Sequence, residues 1–298
     1  MQTFLPYADF GRCGAVLDPQ RLGKQRVETL QILRALHLPE YGWANHPAVG
    51  MWRGRTEALV LYGLACVREW TSRGHLDSTH CSITEFAPGV AGRTQDDLAD
   101  QDLLPSWLGH ERLHLSHRSA LLRKLPDWYR PLFGGELPDD LPYVWPPPDP
   151  VPPGRVERGT KVWVVRAPSL ELLGRFLQEG FVGLGTQSGL AVDVGGMDGA
   201  AMRNALRAVS PARRAGKDLR QLEAFVQQVE AGDLVSVPIE DGTALLVGLV
   251  TGEYEFEGSA AAPHRRAVRW EGRRERSDVR PSAAMQDPRA LFRVTLAE

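Results

Sequence analysis

Four residues in one short segment carry side chains suited to chemistry on a charged polymer: Arg21, Lys24, Gln25 and Glu28. On a helix advancing about 100° per residue they fall within an arc of about 100°, while Val27, Leu30 and Leu33 take the opposite side. One carboxylate flanked by cations suits a reaction on phosphodiester-linked sugars. The cations hold phosphates, and the carboxylate stabilises positive charge developing at C1′ or activates a nucleophile. Cleavage of a glycosidic bond in nucleic acid fits this face. The plainer reading is that Lys24 and Glu28, spaced i,i+4, form an ordinary surface pair worth about 0.3–0.5 kcal/mol.

Further candidates lie downstream. Asn45 and His46 precede Pro47 at a helix start, where they can cap the helix or face a substrate. His117, Arg118, Lys124, Trp128 and Tyr129 interleave cations with aromatics, the pattern that matches a phosphate backbone and exposed bases. The spacing of His110, His114 and His117 leaves a structural metal open as an alternative, with His80 or Cys81 completing the set. The phosphate-contact reading is preferred, so no metal and no cofactor is expected.

These residues need a scaffold. Apolar periodicity predicts helices over Gln20–Leu38, Pro47–Arg73 and Glu111–Leu125, the first started by Asp18 and Pro19. The stretch WPPPDPVPPGRVERG is dense in proline, which withholds backbone donors and favours extended chain. The expected division is a helical domain over 1–145, a linker over 146–158 and a second domain over 159–298. Beyond the linker, β-rich runs at Lys161–Arg166, Phe181–Gly185, Leu234–Pro238, Ala244–Thr251, Ala267–Trp270 and Leu291–Leu296 alternate with helical patterns at Ser169–Glu179 and Leu219–Ala231. This predicts a compact α+β domain.

Composition narrows the class. With 298 residues and 43% apolar content the chain can bury substantial cores. A net charge of −2 gives no basic footprint, so any nucleic-acid contact must rest on local clusters. Cys13, Cys66 and Cys81 are odd in number and lack Cys-x-x-Cys spacing, which argues for reduced thiols rather than disulfides or a zinc ribbon. No long apolar run and no signal-peptide pattern is present, so a cytoplasmic protein without a membrane partner is expected.

In their order, QRLGKQRVE, YGWANHPAVGMW and SHRSALLRKLPDWY resemble the pyrimidine-dimer DNA glycosylase (endonuclease V-like) family over about Met1–Phe133. The resemblance implies a helical domain with Glu28 as catalytic carboxylate, Arg21 facing substrate, and Trp128 and Tyr129 facing DNA. Val27 stands where the phage branch has arginine, with Lys24 and Arg26 supplying nearby cations. That branch attacks with the α-amine of a small residue exposed by loss of methionine. Gln2 is large, so Met1 is expected to remain. Its amine, of pKa near 7.7–8.0, could attack C1′, as could a strongly perturbed Lys24; otherwise water attacks with help from Glu28. A monofunctional glycosylase is preferred.

The strings KVWVVRAPS, GFVGLGT, GDLVSVPI, LVGLVTGEYEFE and HRRAVRW resemble the EVE-like, PUA-related domain of Mrr-type proteins, which implies a β-barrel able to read a modified base. Trp163, Tyr254 and Trp270 are the candidate walls of its pocket and Arg265 a phosphate contact, the alternative being that the tryptophans are core. The pair of domains resembles the base-replacement immunity glycosylases. This implies release of glucosylated hydroxymethylcytosine from double-stranded phage DNA in anti-phage defence, with no obligate protein partner. A repair glycosylase for pyrimidine dimers, a non-catalytic sensor of modified DNA and an RNA-binding module are the alternatives.

Overall fold

The computed structural model describes residues 1–39, 41–150, 159–185, 192–209, 212–258 and 260–297, with backbone alone at 209, 212–215 and 217. The chain divides into two compact units, Met1–Arg155 and Val156–Glu298.

The first unit is helical. After α1 (Phe10–Val16), α2 (Pro19–His37) starts where its sequence dictates. The Asp18 carboxylate accepts the backbone N–H groups of Gln20 and Arg21 at 3.0 and 3.2 Å, and Pro19 occupies the first turn, where its missing N–H costs nothing. The helix predicted over Pro47–Arg73 is two helices, α3 (Pro47–Gly50) and α4 (Thr56–Ser72). Gly54, at φ +77°, turns the chain between them in a conformation that costs other residues strain. α4 is buried throughout Ala58–Val67 and packs on α2. A Cβ on Gly63 would lie 2.7 Å from Thr29 Cγ2, so the absence of a side chain there sets how closely the helices approach. α5 (His80–Thr84), α6 (Gln95–Ala99), α7 (Glu111–Lys124) and α8 (Pro126–Phe133) complete the unit. Pro126 drives Leu125 out of helical geometry, to φ −155° and ψ 77°, and so separates α7 from α8.

The proline-rich stretch begins as part of this unit rather than as free linker. Asp149 is buried, accepts Arg55 Nε at 2.6 Å and accepts the backbone N–H of Ser106 at 3.0 Å.

The second unit is built on one seven-stranded sheet: β1 (Thr160–Val165), β2 (Phe181–Leu184), β3 (Leu234–Ile239), β4 (Ala244–Phe256), β5 (His264–Glu275), β6 (Val279–Arg280) and β7 (Leu291–Leu296). Their order is β2-β5-β4-β3-β1-β7-β6, with β1 and β3 parallel and the other pairs antiparallel. Period-2 alternation gives β1 two apolar faces. Trp163 and Val165 join one core with α9 (Leu170–Glu179), α10 (Gly199–Val209) and α11 (Ala212–Gln227), while Val162 and Val164 join a second with Phe292 and Val294. The two outermost strands, β2 and β6, each pair on one side only. The described strands therefore make an open sheet, and the closed barrel implied by the PUA-like resemblance is not formed by them. No described helix is long and apolar enough to cross a membrane.

Candidate active site

The site is organised by the first five residues, an irregular strand whose backbone groups are satisfied by side chains of three helices. On the α2 side, Gln2 N–H donates to Glu28 Oε2 at 3.0 Å. Gln25 Nε2 donates to the Gln2 carbonyl at 3.0 Å and to the same Glu28 oxygen at 3.3 Å. Gln25 Oε1 accepts Phe4 N–H at 2.7 Å, and the Tyr62 hydroxyl on α4 lies 2.6 Å from that oxygen and 2.9 Å from the Phe4 carbonyl. On the α7 side, Leu5 N–H donates to His117 Nδ1 at 3.0 Å, and His114 Nδ1 lies 2.8 Å from the Leu5 carbonyl. His114 Nε2 accepts Gly109 N–H, so its proton sits on Nδ1 and donates to Leu5. Burial without a carboxylate partner holds the His117 imidazole neutral, at a pKa of about 3.

This anchoring places the chain start in a cavity of about 380 Å³ lined by Met1, Gln2, Phe4, Gln20, Arg21, Lys24, Gln25, Glu28, His46, Lys124, Tyr143 and Trp145. Cations and aromatics are both represented: Arg21, Lys24 and Lys124 among the former, His46, Tyr143 and Trp145 among the latter. Lys24 makes no ion pair with Glu28, which removes the plain surface-pair reading. Glu28 Oε2 is occupied by Gln2 and Gln25, whereas Oε1 accepts from no described residue. His46 caps α3, its Nδ1 accepting Ala48 N–H at 3.1 Å, which leaves the proton on Nε2. Its pKa is lowered by burial first and by the N-terminal amine second, with Glu28 opposing. Burial, with a smaller contribution from Glu28, raises the Tyr143 phenol, which stays protonated and able to donate.

Several expectations are corrected. Tyr129 does not face DNA: it is fully buried, stacks on Phe133, and exchanges hydrogen bonds with Asp18, its hydroxyl donating to Oδ2 at 2.5 Å and accepting Asp18 N–H at 3.2 Å. Burial, then the bond to Asp18, raises its pKa. Arg26 is buried in an ion pair with Asp77 and lies over the Trp70 ring, so it offers nothing to a phosphate. His117 is committed to Leu5, and Arg118 pairs with Glu111 and lies over Tyr7. Trp128 is 41% exposed but ties its indole N–H to the Val16 carbonyl at 3.0 Å. Asn45 is exposed and outside the cavity lining, and Val27, expected on the buried side of α2, is 43% exposed. Among the described residues no group of three His, Cys, Asp or Glu side chains could hold a metal.

In the second unit Trp163 is a core residue, not a pocket wall: it is buried, its indole donates to Asp233 at 3.1 Å and Arg293 covers its ring. Trp270 packs against the same core and donates to the Phe176 carbonyl. The Tyr254 hydroxyl lies 2.9 Å from His264 Nδ1. Arg265 is engaged by Glu257 and by the Phe181 ring rather than free for phosphate.

Two residues that sequence reasoning passed over, Tyr143 and Trp145, line the cavity. Their signal is an aromatic pair, YVW, immediately before the proline run.

Residues 1–82 match the family model of pyrimidine dimer DNA glycosylases. The match contains Glu28, Lys24, Arg21 and His46, while Lys124, Tyr143 and Trp145 complete the cavity from outside it. The N-terminal part of the chain is therefore similar to pyrimidine dimer DNA glycosylases. Residues 174–294 match a family described as a domain of unknown function. No curated protein and no solved structure matches the chain.

Proposed function

We propose that the protein is a DNA glycosylase that releases modified bases from duplex DNA and leaves abasic sites. The observation that carries this reading is the Glu28 carboxylate, fixed through Oε2 by Gln2 and Gln25 while Oε1 accepts from no described residue, in a residue that lines a cavity shared with cations and aromatics. Arg21, Lys24 and Lys124 hold phosphates flanking the target nucleotide. His46, Tyr143 and Trp145 contact its extruded base, to which His46 Nε2–H and the Tyr143 hydroxyl can donate. Glu28 Oε1 then stabilises the positive charge that develops at C1′ as the N-glycosidic bond breaks. A volume of about 380 Å³ lies within the range of roughly 300–1,000 Å³ usual for small-molecule sites.

The preferred nucleophile is water, which makes the enzyme monofunctional. Met1 lines the same cavity, next to the residue that Glu28 binds, and attack by its α-amine is the second reading. Borohydride treatment during turnover separates the two: water leaves no trapped protein–DNA adduct, whereas attack by an amine leaves one.

The proposed substrate is glucosylated hydroxymethylcytosine in phage DNA, with defence against phage as the role. The deciding test incubates the full chain with phage DNA containing unmodified, hydroxymethylated or glucosylated cytosine, and with a duplex containing ultraviolet dimers. Released bases are identified by mass spectrometry. Release of the glucosylated base supports this reading. Release confined to the dimer duplex assigns the protein to repair, and release from none of them removes the glycosylase assignment.

A further inference from the structure

Trp43 stands apart from the other seven tryptophans. Trp52, Trp107 and Trp163 are buried, and Trp70, Trp128 and Trp270 donate their indole N–H groups to backbone carbonyls. Trp145 lines the cavity. Trp43 is 63% exposed, its indole N–H has no hydrogen-bond partner among the described residues, and its φ is +77°. A bulky side chain rarely adopts that left-handed conformation, and glycine or asparagine would occupy it with little strain. Residues held this way persist where the surroundings over-determine them, and they concentrate at functional sites.

The surroundings are visible. The Trp43 carbonyl accepts His46 N–H at 2.8 Å, and Arg53 donates to the Ala44 carbonyl at 3.0 Å, which together fix the turn. The Trp43 ring meets His46 edge-on at 5.7 Å, His46 meets Trp145 at 6.1 Å, and Trp145 meets Tyr143 at 5.4 Å. A row of rings thus runs from an exposed indole to the aromatic side of the cavity. Gly42, Ala44 and Asn45, the neighbours of Trp43, are exposed and uncharged.

We propose that Trp43 is a positioning residue that inserts into duplex DNA beside the target and fills the space left when the nucleotide enters the Glu28 cavity. The proposal rests on the glycosylase reading above. Apolar wedges of this kind unstack a base step and occupy the gap, and so favour the extruded state. Single-stranded DNA has no stack to hold open, so the wedge matters only in duplex.

The test uses the full chain with tryptophan, alanine, phenylalanine or glycine at position 43, and two readouts. The first is emission from 2-aminopurine placed next to a tetrahydrofuran abasic analogue in duplex, at saturating protein. The second is base release from duplex and from single-stranded DNA of the same sequence. Wild type is expected to raise 2-aminopurine emission, Trp43→Ala to lose most of that rise, and Trp43→Phe to restore much of it. Trp43→Ala should slow duplex release about tenfold or more while changing single-strand release by less than about threefold. Trp43→Gly, free of backbone strain, should melt no lower than wild type and behave like Trp43→Ala, which excludes misfolding as the cause. No emission rise in wild type, a rise independent of Trp43, or equal losses on duplex and single strand would each overturn the wedge. A Trp43-dependent rise without base release from any substrate would keep the wedge and remove the glycosylase reading.

Discussion

Gln2 N–H donates to Glu28 Oε2 at 3.0 Å, and this bond ties the carboxylate of α2 to the second residue of the chain. One oxygen of Glu28 is thereby held by the fold, and the other accepts from no described residue. The first five residues are as much a part of the site as the helix is, and disturbance of either should reach the other.

Gln25 is the hub of that coupling. In Gln25→Ala the Phe4 N–H, the Gln2 carbonyl and the Tyr62 hydroxyl lose a partner, and a buried unsatisfied polar group costs about 1–3 kcal/mol. The variant should be destabilised by about 2–4 kcal/mol in urea titration. Its base release should fall by more than the unfolded fraction explains, because Glu28 loses one of its two donors.

Acid should unfold the first unit through His117. Its folded-state pKa is about 3 and its unfolded value about 6.5, so between these limits the unfolded chain binds the extra proton. Stability from this group is complete above about pH 6.5 and declines as pH falls towards 3, at up to about 1.4 kcal/mol per pH unit. His114, also shifted down by burial, acts in the same direction. Urea midpoints measured across this window should fall with pH in the wild type and fall less steeply in His117→Gln.

Tyr129→Phe should separate stability from DNA binding. It removes the hydroxyl that bonds both Asp18 Oδ2 and Asp18 N–H at the start of α2, at a cost of about 1–3 kcal/mol. Because Tyr129 is buried, affinity for duplex at low temperature should match that of wild type. A large loss of affinity without loss of stability would restore Tyr129 to the DNA-facing surface.

The cations divide in the same way. Replacing Lys24 or Lys124 by alanine should reduce the slope of log affinity against log salt by about 0.9 for each phosphate that is no longer neutralised, and Arg21→Ala should reduce it by less, because the Arg21 guanidinium already pairs with Asp18 at 3.2 Å. Arg26→Ala and Arg118→Ala should leave the slope unchanged, since those guanidiniums are engaged by Asp77 and Glu111.

What the sequence made legible is the part governed by local rules. Asp18 and Pro19 start α2 as expected, and Arg21, Lys24, Gln25 and Glu28 do share one cavity. Tertiary packing decided the rest. Helical periodicity cannot show that the chain start packs against Gln25, nor that Arg26 is buried beside Asp77, because these partners lie 21 or more residues away. The pairing of cations with aromatics at His117, Arg118, Trp128 and Tyr129 suggested a binding edge, yet most of these polar groups serve the interior. Tyr143 and Trp145 were concealed by their position against the proline run. The strand runs of the second unit were readable from β-branched alternation, but whether its sheet closes depends on edge pairing, which no local pattern encodes.

The most direct measurement is base release by Glu28→Gln, which keeps side-chain shape and an oxygen able to accept Gln2 N–H while removing the negative charge. With the modified duplex established as substrate, release should fall at least about 100-fold while duplex affinity stays within about threefold of wild type. Release at a rate close to wild type would contradict the assignment of Glu28 as the catalytic carboxylate, and with it the central claim.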